Sequence, residues 1–330
     1  MSTRRPSAGV AMCVYNGVRF LQEQIDSICA QTELPLRMAV VDDNSSDGSW
    51  ELLRRWAPCA PFEVRLQRNQ TNLGVVRNFE LATNLVGDDI DVVFLADQDD
   101  CWYRDKLALF VNQFEGDPGL LLLHSDADLI DGEGRTLGRR LFETLLVTDA
   151  ERREVAAGMA WRAYAKRNLV TGAACALRRS LLAQALPFSP HWVHDEWLAF
   201  HAALLGRVSM IDHPTMAYRL HQSNTVGLPI PNWKWRVGTS LQALLKPTVK
   251  RQMQRADRLQ EVLLQAQRLG ASQQANEGLQ EALAHARFRS HLARNPVSRA
   301  SAVWREWRGG AYHRWSNGEI SMLHDMLIAR

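Results

Sequence analysis

The stretch VVFLADQDDCW, residues 92–102, passes without a break from five apolar residues into Asp97-Gln98-Asp99-Asp100. An apolar run that short, ending in turn residues, reads as a buried strand whose carboxyl end opens on a polar loop. The same grammar recurs upstream. Val10–Val14 ends in Tyr15-Asn16-Gly17, and Met38–Val41 ends in Asp42-Asp43-Asn44-Ser45-Ser46-Asp47-Gly48. Val64–Leu66 is followed by Asn72-Leu73-Gly74. Residues at helical spacing separate these runs: Phe20, Ile25 and Ile28, then Leu52, Leu53 and Trp56, then the surroundings of Phe79, then Tyr103 to Phe114. Strands alternating with helices in this way predict an α/β fold, a Rossmann-like, mostly parallel sheet flanked by helices.

Farther along, the pattern loosens. Leu120–His124 reads as a strand, Asp131 to Gly134 as a turn and Thr171–Leu177 as a small apolar stretch. Leu181–Leu186 is a short helix stopped by Pro187, and Asp195–Leu205 a helix closed by Gly206. Val208–Asp212 and Met216–Leu220 read as two short strands parted by Pro214. After residue 225 no strand signal remains. Leu259, Val262, Leu263, Ala266 and Leu269 form one helical stripe; Leu279, Ala282, Leu283 and Ala286 form another, ending before Pro296. The chain therefore divides into an α/β region, residues 1–227, and an α-helical C-terminal region, residues 228–330.

Composition narrows the function classes. With 330 residues, 46% hydrophobic and 23% charged, the chain is globular rather than disordered. Its longest aliphatic run, Leu120–Leu123, falls far short of the ~20 residues of a membrane span. Val10–Val14 is too short for a signal peptide, and five cysteines without a CxxC pair read as reduced thiols. These features describe a cytoplasmic chain. Charge is unevenly spread: residues 231–330 carry 16 Lys/Arg against 7 Asp/Glu, so the net charge of +3 hides an acidic front. Such a front does not recruit nucleic acid. Residues 231–258 hold seven Lys/Arg against Asp257, beside Trp233 and Trp235. That mixture suits an anionic membrane surface, and equally helices that pack on the front region or pair in a homodimer.

The acidic clusters carry the chemistry. In an open parallel sheet the carboxyl ends of the strands face one crevice, so Asp42/Asp43 and Asp97/Asp99 are expected to converge there. Carboxylate oxygens select hard cations, here Mg²⁺ or Mn²⁺, and His and Cys residues without close ligand spacing argue against a zinc site. Asp42–Asp47 serves equally well as an Asx-turn and helix cap. Asp97-Gln98-Asp99-Asp100 is harder to explain that way, since a cap needs one carboxylate and three in four residues repel. No P-loop and no framed GxGxxG occurs.

In order, Val14-Tyr15-Asn16, Val40-Val41-Asp42-Asp43-Asn44-Ser45-Ser46-Asp47-Gly48, Asn72-Leu73-Gly74 and Ala96-Asp97-Gln98-Asp99-Asp100-x-Trp102 resemble the family-2 glycosyltransferases of GT-A fold. Thr171-Gly172, His194-Asp195-Glu196-Trp197 and Tyr218-Arg219-x-His221-x-x-Asn224 extend the resemblance over about residues 8–227, towards the rhamnosyltransferase-like branch that builds bacterial surface polysaccharides. It implies a GT-A-type fold and a nucleoside-diphosphate sugar as donor, dTDP- or UDP-linked, with rhamnose the first choice. Asp43 matches the nucleobase-contacting carboxylate, with Tyr15 beside it, and Arg77 and Asn78 look like further nucleotide contacts. Asp97-Gln98-Asp99 matches the DxD motif, Asp99 as the metal ligand and Asp97 towards the sugar or ribose. Asp195 matches the catalytic base, while Arg219 and His221 fall where the family closes a loop over the diphosphate. The acceptor implied is a saccharide or lipid-linked saccharide, which would bring the chain to the cytoplasmic face of the inner membrane.

Inverting transfer needs a base on the acceptor hydroxyl, which one carboxylate supplies, and a Lewis acid on the leaving diphosphate, which a metal supplies. Asp195 also suits a helix N-cap, and His194 suits simple packing beside Trp192 and Trp197. Two rivals differ in class. A sugar nucleotidyltransferase opens with a Gly-rich loop bearing Arg or Lys, where this chain has Tyr15-Asn16-Gly17-Val18. A non-catalytic sugar-nucleotide or partner-binding module has no use for both Asp99 and Asp195.

Overall fold

Continuous apolar runs become the buried centre of a sheet. The computed structural model describes residues 4–221 and 249–327; Asn224, Trp233, Trp235 and most of the basic segment 231–258 lie outside the described residues. Strands β1 (Ala8–Val14), β2 (Arg37–Asp42) and β4 (Val92–Ala96) are buried at every position, as expected of parallel strands covered on both faces. With β3 (Glu63–Arg68) they pair in parallel in the order β3-β2-β1-β4, so their carboxyl ends share one edge. Helices α1 (Val18–Cys29), α2 (Ser49–Trp56), α3 (Val75–Leu85) and α4 (Lys106–Gly116) alternate with them. Val10, Met12 and Val14 join Leu21, Ile25, Ile28, Leu107 and Phe110 in one core.

The sheet continues with mixed polarity. Beyond β4 come β8 (Cys175–Arg178), β6 (Leu120–Ile130), β9 (Arg207–Arg219) and the two-residue β5 (Cys101–Trp102), while β7 (Thr136–Arg140) pairs with β6. β8 is antiparallel to both β4 and β6, and β6 runs parallel to β9. The two strands expected around Pro214 are one. β9 runs straight through the proline because the register slips there, from Ser125 opposite Ile211 to Asp126 opposite Pro214. The extra residues let a residue without an N–H sit at a bulge. The stretch from Thr171 begins as a tight turn, Gly172–Ala174, and only then becomes β8. Between β7 and β8 lie α5 (Leu141–Thr144), α6 (Asp149–Ala156) and α7 (Ala160–Lys166); α8 (Arg179–Ala185) and α9 (His194–Leu205) follow β8.

Two compact units emerge: Met1–Ala160 with Leu169–Leu228, and Trp161–Asn168 with Pro229–Arg330. The short segment 161–168, expected with the first region, belongs to the second. In the second unit Arg255 donates to the carbonyls of Ala165 at 2.9 Å and Trp315 at 2.6 Å, and the Trp161 and Trp315 rings lie 6.5 Å apart. Both helical stripes appear, as α10 (Val249–Arg268) and α11 (Gln273–Ser290). Three further helices were not legible: α12 (Pro296–Arg308), α13 (Ala311–Trp315) and α14 (Gly318–Leu327). The second stripe ends before Pro296 as expected, and Pro296 also starts a helix, since its missing N–H falls in the first turn and Asn295 caps Val297 and Ser298. A buried Arg289–Asp325 ion pair of 2.6 Å, with Tyr312 donating to the same carboxylate, ties these helices together. No helix among the described residues is long and apolar enough to cross a membrane.

Candidate active site

The parallel edge gathers three strand ends. After β2, Asp42 and Asp47 do local work: Asp42 Oδ1 accepts the Ser45 N–H at 3.0 Å, and Asp47 accepts those of Val18 and Ser49 at 2.9 and 3.0 Å. These two are turn and cap residues. Asp43 is different. It is 2% exposed and accepts from the Asn69 side chain at 2.7 Å, the Leu73 N–H at 2.8 Å and the Gly74 N–H at 2.9 Å. A carboxylate offers about four acceptor positions, so roughly one remains for a ligand. Asn78 lies in the same network, buried, donating to the Val41 carbonyl and accepting from Asn69. Tyr15 is 48% exposed at the end of β1, and Arg77 is exposed and paired with Glu80 one helical turn on.

The Asp97–Asp100 turn after β4 is pinned from three sides. Gln98 clasps the backbone of Tyr15 with both amide atoms, Oε1 accepting its N–H at 2.7 Å and Nε2 donating to its carbonyl at 3.0 Å. That clasp explains Gly17, where a Cβ would stand 2.2 Å from the Gln98 amide. Arg219, 2% exposed, donates through Nε to the Asp99 carbonyl at 2.7 Å and through its backbone N–H to Asp100 Oδ1 at 3.0 Å. Its Nη2 reaches Glu23 at 2.6 Å, and the guanidinium lies over Phe20. Arg219 thus braces the turn from behind. His221 approaches from the front: Nε2 is 2.7 Å from Asp99 Oδ2, with the ring against Phe20.

Asp195 reaches the same region from α9. Its helix starts one residue earlier than expected, with Val193 as N-cap, so the carboxylate is not the cap. Instead Oδ2 accepts the Gly172 N–H at 2.9 Å and Oδ1 the Glu196 N–H at 2.7 Å. Gly172 admits this approach because a Cβ would lie 2.7 Å from the His194 ring. His194 stacks on Phe79 at 3.9 Å, rather than on the tryptophans, and burial pushes its pKa down to about 3.

Electrostatics show that the groups meet. Burial raises the Asp97 carboxyl to about 7, with the charges of Asp99 and Asp195 adding to the rise. Burial likewise lifts Asp100 well above the carboxylate range, helped by Asp99 and Asp97, and its Oδ2 has no hydrogen-bond partner among the described residues. Asp195 is raised to about 7, first by burial and then by Glu196. Carboxyls crowded in this way are stabilised by a cation. Gln98, Asn69 and the buried Lys106 escaped the sequence reading. Lys106 was the most accessible of these, since its spacing to Phe110 and Phe114 places it on the apolar face of α4.

The glycosyl transferase family 2 model matches residues 9–183. An uncharacterized glycosyltransferase of Nostoc sp. is 28% identical over 223 residues, 64% of this chain and 63% of the relative. A dTDP-rhamnosyl transferase of Shigella flexneri, RfbG, is 28% identical over 98 residues, 29% of this chain and 34% of the relative. The matched stretches thus span less than two thirds of these relatives' own lengths. Among solved structures, the mannosyltransferase of Pyrobaculum calidifontis in complex with GDP-Man and Mn²⁺ shares the fold, with a TM-score of 0.54 and 21% identity over 98% of this chain and 86% of that one. The strand-end turns quoted above, up to the DxD motif, all fall inside the stretch the family model matches, which is more than half of the chain. This chain belongs to glycosyl transferase family 2.

Proposed function

We propose that the chain is an inverting glycosyltransferase of bacterial surface-polysaccharide synthesis, passing a sugar from a nucleoside-diphosphate donor to a saccharide or lipid-linked acceptor. The observation that carries this reading is the meeting of a half-buried DxD turn with a second, buried carboxylate, Asp195, whose pKa is raised to about 7. Rhamnose carried on dTDP is the donor favoured by the rhamnosyl relative and by the order of the motifs.

The residues present fit a hard divalent cation, Mg²⁺ or Mn²⁺. Asp99 Oδ2 and His221 Nε2 stand 2.7 Å apart, and Asp100 holds a buried oxygen without a partner among the described residues. No three acidic, His or Cys side chains form a metal cage among the described residues. That suits Mg²⁺ or Mn²⁺ bound through Asp99 and completed by diphosphate oxygens and water. When bound, such an ion offsets the negative charge that grows on the departing diphosphate.

The protein's own groups do the rest. Asp43, Tyr15, Arg77 and Asn78 form the nucleobase and ribose end, with Asp97 towards the sugar. Asp195 accepts the proton of the acceptor hydroxyl as its oxygen bonds to the sugar's C1. The C1–O bond to the diphosphate breaks on the opposite face, its electron pair leaves with the diphosphate, and the configuration inverts. A carboxylate raised to about 7 is a stronger base than an ordinary aspartate and is still substantially ionised at neutral pH. Arg219 holds the turn in place, and His221 closes over the diphosphate. A lipid-linked acceptor would bring the chain to the cytoplasmic face of the inner membrane. The basic segment 231–258 is then its contact with anionic lipid, with a homodimer through the C-terminal helices as the alternative.

Calorimetric titration with UDP-, dTDP- and GDP-sugars tests the reading. Binding that prefers one nucleobase and requires Mn²⁺ is expected. No binding of any of them would overturn it, and binding without release of nucleoside diphosphate would favour a non-catalytic module.

A further inference from the structure

His194 is the first residue of α9 and the immediate neighbour of Asp195. It is 5% exposed, and neither ring nitrogen has a hydrogen-bond partner among the described residues. Burial lowers its pKa to about 3, so the ring is neutral at pH 7. A leucine would fill this space without burying unbonded polar atoms, so the imidazole calls for a reason.

What the ring touches supplies one. It stacks on the buried Phe79 with centroids 3.9 Å and planes 20° apart, and its Nε2 edge reaches Gly172. The Gly172 N–H is the group that donates to Asp195 Oδ2 at 2.9 Å. On α3, Phe79 directly follows Asn78, which joins Asn69 and Asp43 in one hydrogen-bond network. Next comes Glu80, also buried, which pairs with Arg77 and accepts the Phe188 N–H at 2.7 Å, in the loop that leads into α9. Four consecutive residues of α3 therefore serve two places. Arg77 and Asn78 belong to the nucleotide end, while Phe79 and Glu80 hold the start of α9 and the loop before it.

We propose that Phe79 and His194 are positioning residues whose ring stack fixes Asp195 at a set distance from the nucleotide end of the site, with Glu80 as a second tether. This inference rests on the reading of Asp195 as the base. Stacked rings have a preferred mutual geometry, which an aliphatic side chain of similar volume does not impose. The ring's shape is then what matters, and its nitrogens are incidental. A base displaced by about 1 Å loses on the order of 10²-fold in rate, although the donor still binds.

Three variants of the full chain test it. His194→Phe keeps a flat ring without nitrogens, and His194→Leu and Phe79→Leu each remove the stack. Release of nucleoside diphosphate from dTDP-rhamnose and a panel of UDP-sugars is followed with Mn²⁺, with water as the acceptor. Calorimetry gives the Kd of dTDP and UDP, and melting temperature confirms the fold. His194→Leu and Phe79→Leu should each lose on the order of 10²-fold in kcat at unchanged nucleotide Kd. The double variant should lose little more, because either change alone removes the stack. His194→Phe should turn over close to the wild-type rate. If His194→Leu does not fold, Phe79→Leu against His194→Phe makes the same comparison. Wild-type kcat in the leucine variants, with Asp195→Asn inactive, rejects the positioning pair and leaves the base standing. So does a loss in His194→Phe as large as in His194→Leu, which would make the nitrogens the working part, or a rise in nucleotide Kd that matches the loss of rate. Release by Asp195→Asn at the wild-type rate, or no release by wild type from any donor, rejects the base and the inference together.

Discussion

Replacing Asp195 by Asn separates base from scaffold, and the structure fixes what each would do. The carboxyl titrates at about 7 in the fold against an ordinary 3.8. The folded state therefore holds this proton more tightly than the open chain. The group's contribution to stability is greatest below 3.8 and is lost as pH rises through about 7, a loss on the order of 4 kcal/mol. Asparagine has no charge to desolvate and escapes that loss. It still accepts the Gly172 N–H, but its amide then faces the Glu196 N–H, donor to donor, which costs roughly 1–3 kcal/mol. The stability curves should cross: Asp195→Asn melts below wild type near pH 4, where little of that loss has accrued, and at or above it at pH 8. The start of α9 is untouched, because Val193 is its N-cap. Transfer, or donor hydrolysis as a first assay, should fall 10²–10⁴-fold while Mn²⁺-dependent nucleotide binding is kept. The wild-type rate should rise with pH through about 7. Near-normal turnover by Asp195→Asn would refute the assignment and make Glu196 the next base to remove.

Asp43→Ala deletes the acceptor for three hydrogen bonds that hold the Leu73–Gly74 turn. It should lose about 2–5 kcal/mol in urea denaturation together with nucleotide affinity; unchanged stability would show that the turn stands without it. Gly17→Ala forces a Cβ to 2.2 Å from the Gln98 amide. About a tenfold loss of nucleotide affinity by calorimetry is expected from breaking a clasp worth one or two hydrogen bonds, and no loss would mean the clasp is dispensable. If residues 231–258 meet anionic lipid, co-sedimentation with phosphatidylglycerol vesicles should decline as salt rises beyond 0.1 M, where screening acts over about 10 Å. Salt-independent sedimentation, or none, would favour the homodimer.

What the sequence disclosed and what it hid have physical reasons. Val92–Ala96 and Met38–Val41 were legible as strands because parallel strands buried on both faces leave no polar alternation to confuse the pattern. The acidic turns beyond them were legible because carboxylates in such numbers exceed what capping needs. Pro214 misled, since a proline breaks the ladder only where the partner keeps register, and here β6 does not. Lys106 misled for the opposite reason: a lysine at a helix start is ordinarily solvated, and only its spacing to Phe110 and Phe114 hinted that it points inward. The division of labour between Asp42 and Asp43 had no local signature. Adjacent strand-end residues point to opposite sides, and which one meets Asn69 and Gly74 depends on chain some 30 residues away.

On the proposed function, the Asp97–Asp99 turn and Asp195 together release a nucleoside diphosphate from a sugar donor with the help of a divalent cation. The most direct measurement is the rate of dTDP and UDP release from dTDP-rhamnose and a panel of UDP-sugars, by wild type with Mn²⁺, by wild type with EDTA, and by Asp99→Ala with Mn²⁺. Slow release of one nucleotide by wild type with Mn²⁺, abolished by EDTA and in Asp99→Ala, is the result predicted. Release that continues in EDTA or in Asp99→Ala would contradict it.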